Sequence, residues 1–188
     1  MENNVILITQ ARTGSTRLPN KILKKINDKS LLEIHLERLK KSKLVSEIIV
    51  ATTKKSEDKV LCDIAKNLDV SFYCGSENDV LDRFYQSVKN KKTNWIVRVT
   101  SDCPLIDPIL MDEIIDFTIC KNIDYCSNVL VENYPDGQDI EIMSIKSLET
   151  AWKKASLVSE REHVTPFIKK NSNFNGKSLF KAENYACE

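Results

Sequence analysis

Four short runs of apolar, largely β-branched residues punctuate the first part of the chain, and each is followed by a stretch with helical periodicity. The runs are Val5 to Thr9, Glu47 to Thr53, Val70 to Cys74 and Trp95 to Thr100. Val5-Ile6-Leu7-Ile8 lacks polar alternation, which marks a strand covered on both faces. Between the runs, Ser30-Leu31-Leu32-Glu33 has the S-x-x-E form of a capping box. Leu31, Ile34, His35, Leu36 and Leu39 then supply an apolar stripe, and Lys40, Lys41 and Lys43 suit the helix C-terminus. Ser56, Glu57 and Asp58 open a second helix with Val60, Leu61, Ile64, Ala65 and Leu68 on its buried side. A turn through Gly75 and Ser76 leads to a third near Asp79 to Tyr85, and Asp107-Pro108 is a cap and first position for a fourth through Lys121. Strands alternating with helices at this spacing predict an α/β fold: a mostly parallel central sheet with flanking helices and right-handed crossovers. In such sheets ligands sit beyond the carboxyl ends of the strands, so the loops after the first and fourth strands should share a crevice.

The loop after the first strand reads Gln10-Ala11-Arg12-Thr13-Gly14-Ser15-Thr16-Arg17-Leu18-Pro19-Asn20-Lys21. It combines a glycine, hydroxyl donors and the cations Arg12, Arg17 and Lys21, the parts a polyanion site needs. Neither standard phosphate fingerprint fits, because Gly14 has no companion glycines. On composition alone an ordinary strand-to-loop turn with solvated charges remains an equal reading.

After the fourth strand comes Arg98-Val99-Thr100-Ser101-Asp102-Cys103-Pro104-Leu105-Ile106-Asp107. Asp102 should point into the crevice. Its carboxylate either closes a turn or binds Mg²⁺, an ion that favours one or two carboxylates plus substrate phosphates. Asp107 reads as the helix cap.

Past residue 122 the pattern changes to a small antiparallel excursion. Ile123 to Asn128 and Gln138 to Met143 read as strands separated by a loop with Tyr134-Pro135-Asp136-Gly137. Alternation puts Asp139 and Glu141 on one face, either a solvated edge strand or a pair bridged by a cation or arginine. Helices are expected at Ser147 to Leu157 and at Thr165-Pro166 to Lys170, with Thr165 a fresh N-cap in preference to a box at Ser159 and Glu162. His35 reads as a packed or partly exposed helix residue rather than a catalytic one. Arg83 reads as a helix-surface arginine.

Charged residues are 29% of the 188, yet the net charge is only +1, so no global field points to nucleic acid or an acidic membrane. No apolar run reaches the length of a membrane span, and Glu2 precedes the first strand where a signal peptide would carry positive charge, so a soluble, cytoplasmic protein is expected. The six cysteines form no C-x-x-C pair and read as reduced, structural thiols.

The Gln10 to Lys21 segment resembles the N-terminal signature of the cytidylyltransferase family that includes spore coat polysaccharide biosynthesis protein F, itself similar to CMP-Kdo and CMP-sialic acid synthetases. Arg98 to Asp107 is similar to that family's R-x-T-x-D-C-P-L-x-D, Asp136 to Glu141 to part of its Y-P-D-G-x-D-x-E, and Arg161-Glu162-His163-Val164-Thr165-Pro166 to its R-E-H-V-T-P. Leu81-Asp82-Arg83 matches a further segment. The likeness runs from about residue 5 to about residue 170.

What it implies is a single nucleotidyltransferase domain of the nucleotide-diphospho-sugar transferase (Rossmann-like) type. Its nucleotide-binding half would lie at about 1–121, and its sugar-binding and possible dimer half at about 122–188. CTP would lie on Gln10, Ala11, Arg12, Thr13, Gly14, Ser15, Arg17, Lys21, Arg83, Arg98 and Thr100. Catalysis would rest on Arg12, Lys21 and Asp102, with Mg²⁺ on Asp102 and Asp139. Asp136, Asp139, Glu141, Glu162 and His163 would face the sugar, and a homodimer is a possible assembly. Family members continue into a strand and helix with an R-x-T-x-D segment that this chain, ending at Glu188, lacks. A glycosyltransferase using a nucleotide sugar and a non-catalytic nucleotide-binding subunit stand as alternatives.

Overall fold

The computed structural model describes residues 4–14 and 18–187. The first strand, β1 (Val5–Gln10), is buried almost throughout. It is followed by a two-residue hairpin, β2 (Lys25–Ile26) and β3 (Lys29–Ser30), and by α1 (Leu31–Leu39). Then come β4 (Glu47–Thr53), α2 (Lys59–Asn67), β5 (Ser71–Gly75), α3 (Val80–Val88), β6 (Trp95–Thr100) and α4 (Pro108–Cys120). The chain finishes with β7 (Tyr125–Ser127), β8 (Glu141–Ser144), α5 (Ile145–Lys154), α6 (Val158–His163), α7 (Pro166–Lys170) and β9 (Ala182–Asn184).

Seven strands form one sheet in the order β5-β4-β1-β6-β8-β7-β9. Only β8 runs against its neighbours among the described residues. Both faces of the sheet carry core, as the unbroken apolar runs require. Val5, Leu7, Val50 and Val97 pack on one side with Leu36 of α1, Leu61 of α2 and Ile114 of α4. Ile6, Ile8, Ile49 and Ile96 pack on the other with Phe84 of α3, Leu148 of α5 and Ile168 of α7. The Ser30 and Glu33 capping box forms, and the Asp107 carboxylate caps α4 by accepting from the Ile109 N–H at 2.8 Å. Cys62, Cys74, Cys103, Cys120 and Cys126 are thiols outside any disulfide.

Several expectations are corrected. The hairpin at 25–30 was not foreseen; Asn27 and Asp28 both take left-handed φ values of 46° and 69°, as a tight two-residue turn demands. The strand expected at Gln138 begins only at Glu141, because Gln138 is engaged elsewhere, and β9 was missed altogether. Helix α5 starts at Ile145, since the Ser144 hydroxyl caps it by accepting from the Ser147 N–H. Thr165 does head α7, but its hydroxyl makes no cap bond. The competing box at Ser159 is absent: the Glu160 carboxylate accepts from the Ser156 and Leu157 N–H groups, so α6 begins earlier.

Candidate functional site

The register sets the two expected walls side by side. Gln10, the last residue of β1, pairs with Thr100, the last of β6, so both strands release their loops at the same edge. The β1 loop is then folded back and pinned. The Thr13 N–H and hydroxyl both donate to Asp58 Oδ1, at 2.7 and 2.8 Å, while the Thr53 hydroxyl donates to Oδ2. The Ala11 N–H reaches the Ala51 carbonyl, and the Asn20 N–H closes the loop onto the Thr13 carbonyl at 3.0 Å. Asp58, read from the sequence as a helix opener, is instead buried and braces the loop. Ser15 and Arg17 lie outside the described residues.

Lys21 leaves this loop in a short 3-10 turn, and its ammonium donates to Asp102 Oδ2 across the mouth of the crevice at 2.7 Å. Burial works to raise the Asp102 pKa, but the Lys21 and Thr100 hydrogen bonds outweigh it and hold the carboxyl below its ordinary value. Beneath the pair lies a cleft of about 400 Å³, in the range of small-molecule sites. Gln10, Ala11, Arg12 and Lys21 line one wall, Thr100, Ser101 and Asp102 the other. Glu162 and His163 arrive from α6, and Val80 and Arg83 from α3.

Arg83 is the largest correction. Only 2% of it is exposed, its Nη1 donates to the Ser76 carbonyl at 2.6 Å, and its Nε has no hydrogen-bond partner. Burial, then the neighbouring Arg12 charge, lower its pKa to about 10, so it stays charged at neutral pH. Its stem crosses the end of β5 where Gly75 leaves room: a Cβ there would stand 2.8 Å from Arg83 Cγ and 2.9 Å from Tyr73 Cε1. Gly75 thus serves close packing rather than a turn.

Glu162 and His163 are exposed at the cleft, yet the backbone around them is held from both sides. Arg161 grips Asp79, the N-cap of α3, with Nε at 3.0 Å from both oxygens and Nη2 at 2.6 Å from Oδ2. On the other side the Thr165 hydroxyl donates to Glu141 at 2.8 Å. Between them Val164 is buried with φ 72°, a costly conformation for a β-branched residue that persists only where its surroundings over-determine it.

Among the described residues, the rest of the expected set (Thr13, Gly14, Arg98, Asp136, Asp139 and Glu141) does not line the cleft. Thr13 faces Asp58, and Gly14 sits beside it. Arg98 pairs with Glu141 across β6 and β8. Glu141 is not on an edge strand: it is 3% exposed and also accepts from Tyr125, Thr165 and Lys169. Burial opposes its ionisation, but Arg98 and Lys169 prevail and bring its pKa to about 2. Asp136 and Asp139 ride a turn that Gln138 ties to the β6–α4 loop, accepting from the Asp107 N–H at 2.8 Å and donating to the Leu105 carbonyl at 3.0 Å. Burial, then Asp136 and Glu141, raise the Asp139 pKa.

The donor set suits Mg²⁺ only in company with phosphates. Among the described residues no group of three or more His, Cys, Asp or Glu side chains could hold a metal by itself. Asp102 is a single ionised carboxylate open to a polar cleft, the arrangement magnesium uses when nucleotide oxygens complete its shell.

The sheet order and the crevice at the strand ends give the doubly covered α/β architecture that the sequence predicts. The profile of the family described as Cytidylyltransferase matches residues 6–188, and the chain belongs to that family. It is 47% identical over 169 residues to an uncharacterized protein of Methanocaldococcus jannaschii, covering 90% of this chain and 68% of that one. It is 32% identical over 172 residues to spore coat polysaccharide biosynthesis protein SpsF of Bacillus subtilis, covering 89% and 70%. A cytidylyltransferase structure from Leptospira borgpetersenii superposes with a TM-score of 0.88 at 34% identity, over 100% of this chain and 77% of that one. A CMP-2-keto-3-deoxy-manno-octonic acid synthetase complexed with CTP shares the fold at a TM-score of 0.71 and 15% identity, over 98% and 90%. No helix among the described residues is long and apolar enough to cross a membrane.

Proposed function

We propose that this chain uses CTP and Mg²⁺ to activate a sugar for surface polysaccharide synthesis, forming a CMP-sugar and releasing pyrophosphate. The observation that carries the reading is the Lys21–Asp102 contact, which joins a cationic loop to an ionised carboxylate over one cleft. A sugar hydroxyl attacks the α-phosphorus and gives up its proton to water, the bond to the bridging oxygen breaks, and pyrophosphate leaves with the electron pair. Such a step needs mainly placement and charge neutralisation. Arg12, Lys21 and Arg83 bind and orient the triphosphate, Gln10, Ala11 and Thr100 contact the nucleotide, and Glu162 and His163 orient the sugar. Magnesium held by Asp102 and phosphate oxygens would neutralise the charge that gathers on the leaving group. The nucleotide occupies the side built from about 1–121, and the sugar the side built from about 122–188. Asp139, outside the cleft lining, is the further acidic candidate: burial and then the Asp136 and Glu141 charges raise its pKa, and a cation would offset the charges.

A thermal-shift panel of nucleoside triphosphates, each with and without Mg²⁺, tests the reading. Binding to the folded state raises the melting temperature, and CTP with Mg²⁺ should give the largest rise. Pyrophosphate release from CTP on adding a sugar panel should follow. Release of a nucleoside diphosphate from a preformed nucleotide sugar would instead indicate a glycosyltransferase, and CTP binding without turnover a non-catalytic subunit.

A further inference from the structure

We propose that His35 is a positioning residue that sets the separation between the two walls of the cleft and thereby the place of Asp102. The inference rests on the nucleotidyltransferase reading and adds a residue that the reading does not use.

His35 lies on α1 with no exposed surface, and both ring nitrogens are spoken for. Nδ1 is 3.0 Å from the Cys103 carbonyl and Nε2 is 3.0 Å from the Thr9 hydroxyl. A carbonyl can only accept, so Nδ1 carries the proton. In a neutral ring Nε2 must then accept, and the Thr9 hydroxyl donates. Burial holds the ring neutral, with its pKa lowered to about 4. The imidazole is therefore a strut with a defined direction between two points of the site. Thr9 immediately precedes Gln10 on one wall, and Cys103 immediately follows Asp102 on the other.

The strut matters because the sheet ladder ends at the Gln10–Thr100 pair. Beyond it, the loop that carries Asp102 depends on other bonds: Gln138 ties Leu105 and Asp107 at its far end, and four more join them. Two come from within, Cys103 N–H to the Thr100 carbonyl at 3.2 Å and Ile106 N–H to the Cys103 carbonyl at 3.3 Å. Two come from α1: His35 to the Cys103 carbonyl, and one turn later Arg38 Nε to the Ile106 carbonyl at 2.8 Å. One helix thus rails the loop at both sides of its bend. Asp102 itself is left exposed, its carboxylate accepting from Lys21 at the mouth of the cleft while the backbone that follows it is fixed.

The test is CTP binding by calorimetry across a Mg²⁺ titration, together with kcat and KM, for wild type, His35→Leu, His35→Asn and Arg38→Met. Asparagine keeps a donor near the Nδ1 position, whereas leucine removes both bonds. The Leu variant should raise the Mg²⁺ concentration for half-maximal binding about ten-fold and lower kcat similarly, since a lost buried hydrogen bond is of that size. Its CTP affinity in EDTA should stay within about two-fold of wild type, and the Asn variant should recover most of the Mg²⁺ response. Arg38→Met leaves the core packing in place and should raise the half-maximal Mg²⁺ about three-fold, which keeps the test decisive if the Leu variant does not fold. A folded Leu variant, or an Arg38→Met protein, with a lower Tm but an unchanged Mg²⁺ response would overturn the proposal and leave His35 a core residue. A wild type that binds no CTP at any Mg²⁺ concentration would instead overturn the functional reading, and this inference with it.

Discussion

Two buried charges, Glu141 and Arg83, sit in the same sheet-and-helix framework and are treated in opposite ways. Glu141 lies between β6 and β7, and Arg98, Tyr125, Thr165 and Lys169 converge on its carboxylate. Arg83, no more exposed, has one carbonyl for a partner and an Nε with none, and it faces the cleft. A buried charge met by four donors holds structure together, even with Arg98 Nε beside it left without a partner. One left unsatisfied at a cavity wall costs stability until an anion arrives, and that cost is tolerated where a ligand repays it.

The sharpest way to break this contrast is to remove the saturated charge. Glu141→Ala strands the largely buried Arg98 and takes a partner from the part-exposed Lys169, and should destabilise the protein by about 3–5 kcal/mol in urea unfolding. A loss below about 1 kcal/mol would mean that the network is not the clasp described here.

His35 offers a third buried titratable group, neutral and satisfied at both nitrogens. Its folded pKa of about 4 lies below the ordinary histidine value, so the unfolded chain takes up the proton first as pH falls. The stability it contributes is complete above about pH 6.5 and is lost on the way down to pH 4, a difference of about 3 kcal/mol. Urea unfolding at both ends of that window should show the difference in wild type and its removal in His35→Asn. Parallel pH profiles would contradict it.

At the cleft, Arg83→Met should act in the reverse sense to Glu141→Ala. Relieving an unpaired buried cation should leave Tm unchanged or higher, while CTP affinity falls about ten-fold or more. A variant with a lower Tm and an unchanged CTP affinity would make Arg83 a structural residue after all. The gentlest probe is Gly75→Ala, whose Cβ displaces the Arg83 stem without touching its charge. A loss of about three-fold in CTP affinity is expected by calorimetry, and no change would show that the guanidinium is not set by this contact.

Much of the framework was legible in the sequence because burial on both faces leaves unbroken apolar runs, and these place β1, β4 and β6 closely. The cationic loop and Asp102 were legible as a pair because the topology sends both strands to the same edge. The buried polar residues were harder, since charge was read as exposure. Arg83 stands three residues after Val80 and next to Phe84, on the buried stripe of α3, and that spacing was an available signal. Glu141 looked like half of an exposed acidic pair because sequence alternation cannot say that β8 is an inner strand. Asp58 and His35 were hidden for a related reason. One resembled a helix opener and the other a packing residue, and only tertiary contacts reveal that each holds a wall of the cleft. Glu162 and His163 were marked by family likeness alone, and the strained Val164 beside them has no signature in the sequence.

In the proposed reaction Asp102 is the point where magnesium and nucleotide would meet. Calorimetric titration of CTP into wild type and Asp102→Asn, each in EDTA and in Mg²⁺, tests it most directly. Wild type should gain about ten-fold or more in affinity on adding Mg²⁺, and the variant should keep its EDTA affinity but lose that gain. An equal magnesium gain in both proteins would contradict the account.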